Sequence, residues 1–172
     1  MHAKARILLL TTVTSCFGVL LAGVPLEVSA AQLAGRVVGI VDGDTLTLLD
    51  GSKQQHKIRI AGIDAPEARQ PFGQRSKENL SSLAFSKTAQ ADCTKRDRYK
   101  RQVCTVLVEG RDIGLEQVRA GLAWWYRKYA SEQAATQRID YEAAEAAARQ
   151  QRAGLWMASD PVPPWDFRHA VR

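Results

Sequence analysis

The sequence predicts a small α+β domain of five short strands, able to close as a Greek-key β-barrel, with about three α-helices and preceded by a signal peptide. Three observations carry this reading. Two Asp-Gly turns separate runs of β-formers in residues 35–60. A stretch of helical spacing at residues 73–87 interrupts the strands before a second β run at 93–108. Two more helical segments then close the domain.

The first thirty residues read as an export signal, removed before residue 31. Lys4 and Arg6 give a basic start, residues 7–24 carry no charge, Pro25 ends the run, and Val28-Ser29-Ala30 offers small residues for cleavage. Secretion or release to a periplasm is therefore expected. An uncleaved anchor, and a lipoprotein cleavage box at Val13-Thr14-Ser15-Cys16, rank below it. The mature chain divides into a domain at 31–158 and a tail at 159–172 containing Pro161, Pro163, Pro164 and Trp165. That tail is expected to be extended and irregular.

Within the domain, Val37, Val38, Ile40 and Val41 lead into Asp42-Gly43-Asp44, and residues 45–49 leave it, which is a hairpin pattern. Asp50-Gly51 makes a second turn into residues 53–60, where Ile58 and Ile60 alternate with Lys57 and Arg59. Leu80, Leu83 and Ala84 fall at helical spacing in residues 73–87. Residues 93–108 return to β, with a charged connection at 94–103. Residues 112–126 place Leu115, Val118 and Leu122 on one helical face, and residues 132–152 are rich in Ala, Glu, Gln and Arg, with Gly154 as a stop. A closed OB-fold-like barrel fits this order of strands and helices. An open sheet with helices on one face fits the pattern equally well.

The chain has 172 residues, a net charge of +6 and a pI near 9.5. That balance favours polyanions, whether nucleic acid, acidic lipid or polysaccharide, and names no reaction. Removing residues 1–30 takes away Lys4, Arg6 and Glu27 and leaves the chain still basic. Zinc is poorly served, since His56 and His169 stand alone and no Cys/His spacing appears. Two cysteines, Cys93 and Cys104, survive signal removal. In an oxidising compartment they are expected to form a cross-strand disulfide, with two free, half-buried thiols as the alternative.

The chemistry-bearing residues are Asp42, Asp44 and Asp64 at strand ends, Glu67 after Pro66, and the arginines Arg59 and Arg101. Carboxylates suit a hard dication, a further carboxylate can take a proton from water, and guanidinium forks match phosphate oxygens. Taken singly, each has an ordinary reading as a turn, loop or solvated strand residue. Together, in a basic exported chain, they point to a metal-dependent phosphodiesterase acting on nucleic acid.

Asp42-Gly43-Asp44-Thr45, the interval from Arg59 to Asp64, Asp64-Ala65-Pro66-Glu67, Asp97-Arg98-Tyr99-Lys100-Arg101 and Gly121-Leu122-Ala123 follow one another in an order that resembles the staphylococcal nuclease-like (thermonuclease) family. The resemblance spans roughly residues 36–156. It implies an oligonucleotide-binding barrel, bound Ca²⁺, and cleavage of DNA and RNA, single-stranded or frayed, leaving 3′-phosphate ends. By motif position it makes Asp44, Asp64 and the Ala65 backbone carbonyl cation ligands, with Asp42 acting through water. Glu67 matches the general base, and Arg59 and Arg101 the phosphate-holding arginines. Arg98 and Tyr99 match contacts to a terminal phosphate, and Tyr129, with Tyr126 nearby, a base-stacking aromatic. Trp124 and Trp125 read as core, and Trp156 and Trp165 as anchors for the tail. The chain departs from the family at Ala65, where threonine is usual, and at Lys100, where glycine is common. A monomer is expected. The competing functions are a non-catalytic oligonucleotide-binding module and an exported protein holding anionic envelope polymers.

Overall fold

The computed structural model describes residues 31–170. The signal segment and Cys16 lie outside the described residues. Eight strands and four α-helices follow in order among them: β1 (Ala31–Ile40), β2 (Thr45–Asp50), β3 (Gln55–Ile60), β4 (Ile63–Asp64), α1 (Gly73–Ala84), β5 (Thr88–Arg96), β6 (Gln102–Val108), β7 (Arg111–Asp112), α2 (Ile113–Arg119), β8 (Trp124–Trp125), α3 (Ala135–Gln150) and α4 (Pro164–Ala170). Short 3₁₀ turns occupy Arg127–Glu132 and Gly154–Met157.

Strands β3, β2, β1, β5 and β6 are hydrogen-bonded in that order, and β3 also pairs with β6, so the five close into a barrel. Every pairing around it is antiparallel except β3 with β6, which is parallel. The open-sheet alternative is thereby excluded. Alternation along the strands sends Val37, Leu46, Leu48, Ile58, Ile60, Ala91, Cys104 and Val106 inside, all essentially fully buried. Leu80 and Ala84 of α1, with Ile113 and Val118 of α2, join the same core.

Cys93 and Cys104 sit directly opposite one another in the β5–β6 ladder and form a disulfide. β5 begins at Thr88, earlier than the sequence pattern predicts, and runs to Arg96, so the connection to β6 is only residues 97–101.

The second predicted helix is shorter than its pattern. It ends at Arg119 because Gly121 takes a left-handed φ of 65°. A side chain there would also meet the Ala153 carbonyl oxygen at 2.3 Å. The chain turns at Gly121 and enters β8, whose Trp124 and Trp125 pair with Asp64 and Ile63. Both tryptophans are buried. The third helix starts at Ala135 rather than 132, because the 3₁₀ turn occupies the intervening stretch.

The tail corrects the sequence expectation most. Residues 164–170 form α4 instead of an irregular segment. Pro164 stands at the first helical position, where its missing N–H costs no hydrogen bond and its fixed φ suits the helix. Asp166 and Phe167 both donate their backbone N–H to the Pro163 carbonyl.

Candidate active site

Asp44 is the last residue of the turn that joins β1 to β2. The turn is tightened by the Asp44 N–H, which donates to Asp42 Oδ1 at 3.1 Å. It packs so closely on α1 that a side chain at Gly43 would lie 1.9 Å from the Ser76 hydroxyl. Gln117, fully buried on α2, fastens the same turn. Its Nε2 donates to the Gly43 carbonyl at 2.6 Å and to the Ser76 carbonyl at 3.0 Å. Asp64, on β4, is held by the β4–β8 ladder. Arg59 lies opposite Thr45 in the β2–β3 ladder.

These placements bring the two aspartates to one guanidinium. Arg59 Nη1 is 3.0 Å from Asp44 Oδ2, and Arg59 Nη2 is 2.9 Å from Asp64 Oδ1. Asp44 and Asp64 are only 5% and 2% exposed. Asp44 Oδ2 also accepts the Ala65 N–H at 2.8 Å, and its Oδ1 accepts the Thr45 hydroxyl at 3.0 Å. Ala65 thus meets this carboxylate through its amide N–H.

Burial pushes the Asp44 carboxyl up to about 6, with Arg59 opposing the rise and the neighbouring Asp42 charge adding to it. Burial raises Asp64 as well, offset in part by hydrogen bonds from Arg168 and the charge of Arg59.

Arg101 reaches the cluster from the β5–β6 turn. Its Nη1 donates to Thr45 Oγ1 at 3.3 Å, one hydroxyl away from Asp44, while its Nε donates to Asp97 Oδ2 at 2.7 Å. Asp97 also accepts the N–H groups of Tyr99 and Arg101, so one carboxylate sets both the turn and the aim of the arginine. Lys100 takes the left-handed φ of 63° that the glycine of the usual pattern would adopt freely. Tyr99 is well exposed, with the guanidinium groups of Arg98 and Arg101 at 4.9 and 5.3 Å from its ring centre.

Glu67 lies in the loop after β4, its backbone N–H bonded to Gln70 Oε1 at 3.1 Å. Its carboxylate meets Arg168 of α4, whose Nη1 is 2.7 Å from Glu67 Oε1. The same guanidinium reaches Asp64, Nη2 to Oδ2 at 2.8 Å and Nη1 to Oδ1 at 3.3 Å. Burial works against the charge on Arg168, but the hydrogen bonds it donates to Asp64 and Glu67 outweigh it and raise its pKa. Tyr126 stands nearby, its hydroxyl pKa raised by burial and by the Asp64 charge. Its ring meets Tyr129 edge to face, with centroids 5.1 Å apart. Its other neighbour is Trp165, at 5.1 Å and 6° from parallel.

Among the described residues no group of three or more His, Cys, Asp or Glu side chains converges in metal-holding geometry. Asp42 turns into its own loop, Glu67 faces Arg168, and Arg59 stands between Asp44 and Asp64. The donor set nevertheless suits a hard dication. Two buried carboxylates, here paired with Arg59 and Arg168, offer only oxygen donors.

Sequence reading gave Thr45, Gln70, Gln117 and Arg168 no role. A signal for Gln117 exists: it lies four residues after Ile113, on a helical face that is otherwise apolar, and a buried polar group there demands partners. Arg168 had no such signal, since its contacts with Asp64 span 104 residues of sequence.

Comparison with known proteins gives a concordant result. Residues 57–158 match the family model described as staphylococcal nuclease homologue. An uncharacterized endonuclease of Escherichia coli O157:H7 is 39% identical over 143 residues, covering 83% of this chain and 89% of that protein. An uncharacterized endonuclease of Haemophilus influenzae is 37% identical over 163 residues, covering 95% and 85%. A micrococcal nuclease of Shigella flexneri is 36% identical over 151 residues, covering 83% and 84%.

Proposed function

The chain belongs to the staphylococcal nuclease family and is a nuclease, a hydrolase of nucleic acid esters; from that premise we propose that it is an exported, Ca²⁺-dependent endonuclease that cuts DNA and RNA and leaves 3′-phosphate ends. One observation carries the proposal. A carboxylate from the β1–β2 turn and one from β4 share the Arg59 guanidinium, with Arg101 one hydroxyl further on.

Asp44, Asp64 and the Ala65 carbonyl would hold the cation, with Asp42 supporting the site through water. When bound, Ca²⁺ supplies Lewis acidity and a template for the phosphodiester. Arg59 and Arg101 then hold the non-bridging phosphate oxygens and offset the charge that grows on them during attack. Glu67, three residues after Asp64, would take a proton from the attacking water. Attack in line with the 5′-oxygen leaves the phosphate on the 3′ side. Arg98 and Tyr99 would meet a terminal phosphate, as their motif positions imply. Tyr126 and Tyr129 would stack on a base, a contact indifferent to base identity and suited to single-stranded or frayed substrate. The reading is of a monomer working in a periplasm or outside the cell.

The test is incubation of the purified protein with single-stranded DNA and with RNA, with Ca²⁺ and with chelator, followed by end-group analysis. Fragments should form only with Ca²⁺ and carry 3′-phosphates. Glu67→Gln and Arg101→Ala should each lose at least about a hundredfold in kcat. Binding without fragments would mark a non-catalytic module, and wild-type rates in either variant would remove that residue from the mechanism.

A further inference from the structure

The C-terminal segment lies on three of the stations that the proposed reaction needs. It is pinned by Gln70, whose Nε2 donates to the Val162 carbonyl at 2.5 Å and whose Oε1 holds the Glu67 backbone. Three residues on, Trp165 stacks on Tyr126, which neighbours Tyr129 and is with it a candidate to receive a base. One helical turn further, Arg168 bridges Asp64 and Glu67.

The bridge opposes both carboxylates in their roles. Asp64 already shares Oδ1 with Arg59, and Arg168 takes Oδ2 and the remaining face of Oδ1, leaving its oxygens committed to guanidinium donors. Glu67 Oε1 accepts the Arg168 Nη1 at 2.7 Å, so a guanidinium donor occupies the oxygen that would meet the water. A cation bound to Asp64 and a guanidinium hydrogen-bonded to it would also repel one another.

We propose that residues 162–168 form an autoinhibitory plug, in which the Arg168 guanidinium stands in for the cation at Asp64 and the Trp165 ring stands in for a nucleobase on Tyr126. Cation and single-stranded nucleic acid displace the plug together, because each competes for a different part of it. The proposal rests on the reading of Asp64 as a cation ligand. The device holds the resting enzyme closed and sets a threshold of divalent cation for opening. Arg168 is 41% exposed along its side chain, so its ion pairs are partly screened and reversible.

The test uses the full chain and reads Ca²⁺ binding by calorimetry, independent of catalysis. Arg168→Gln should bind Ca²⁺ about five- to tenfold more tightly than wild type, and Asp64→Asn should bind it far more weakly. As a measurement that needs no variant, amide hydrogen exchange across residues 164–170 of the wild type should quicken with Ca²⁺. It should quicken further when a single-stranded oligonucleotide is added. Equal or weaker Ca²⁺ affinity in Arg168→Gln, or exchange in α4 indifferent to both ligands, overturns the plug while leaving Asp64 a ligand. Ca²⁺ bound equally by Asp64→Asn, or by no form of the protein, overturns the reading of the site, and the plug falls with it.

Discussion

Replacing Arg59 with methionine keeps most of the side-chain stem and removes the guanidinium. Two ion pairs go, to Asp44 at 3.0 Å and to Asp64 at 2.9 Å, together with a hydrogen bond to the Ile60 carbonyl at 3.1 Å. The loss is not shared equally. Asp64 keeps Arg168, whereas Asp44 keeps only the Thr45 hydroxyl and the Ala65 N–H. Breaking a buried pair by removing one partner costs about 3–5 kcal/mol, because the other charge is stranded. Asp44 has a way out, since its carboxyl is already pushed up to about 6 and rises further once Arg59 is gone. An acid with a raised folded pKa holds, in the folded state, a proton that the unfolded chain has released above about pH 4. Stability therefore falls as pH rises through that window. Arg59→Met should lose about 1 kcal/mol at pH 5, where Asp44 can protonate, and about 3 kcal/mol at pH 8. Urea denaturation of both proteins at the two pH values, followed by circular dichroism, measures the difference. An equal deficit at pH 5 and pH 8 would refute the argument, since it would place the loss in packing rather than in a stranded charge.

Two further outcomes follow from the β5–β6 hairpin. Lys100→Gly relieves a left-handed backbone that costs a side-chain-bearing residue about 1–2 kcal/mol, partly offset by the greater freedom of glycine in the unfolded chain. A net gain of about 0.5–1 kcal/mol, or a few degrees in melting temperature, should appear with activity retained, and a lower melting temperature would count against strain at this turn. Replacing Cys93 and Cys104 together by serine removes a cross-link over 11 residues. The chain-entropy model puts that at about 3 kcal/mol, or about 10 °C. A melting curve unchanged by the double replacement, or by reductant, would show that the bridge adds nothing to stability.

What the sequence made legible was local. Asp42, Asp44, Asp64 and Glu67 sit in two short motifs at strand ends, and the turns that carry them announce themselves through Asp-Gly and Ala-Pro. Barrel closure was not legible in the same way. The parallel pairing of β3 with β6 joins residues more than forty positions apart, and nothing in either strand's alternation distinguishes a barrel seam from an edge. The pattern overran α2 because Leu122 keeps the apolar spacing after Gly121 has already turned the chain. It missed α4 because three prolines in four residues outweigh seven residues of helix in any local reading, although the last of them is well suited to start one. Arg168 was lost with that helix, since its role exists only through contacts with residues about a hundred positions away.

The barrel seam also explains how one site can draw on so many elements. Parallel pairing sets Ile58 against Gln102 and Arg59 against Val103, so Arg101, just ahead of β6, emerges beside the same end of β3 that carries Arg59. Thr45, opposite Arg59 on β2, fills the space between the two arginines and passes the contact on to Asp44. Cys104 stands at the last pair of this seam. It faces Ile60 across the parallel pair, accepts the Ala61 N–H at 2.8 Å, and is bridged to Cys93 on the other side. The disulfide therefore fixes β6 to β5 within three residues of Arg101, while β6 in turn fixes β3 one residue beyond Arg59. A chain that must hold two flexible guanidinium groups at one locus gains most by cross-linking the strand common to both, and β6 is that strand.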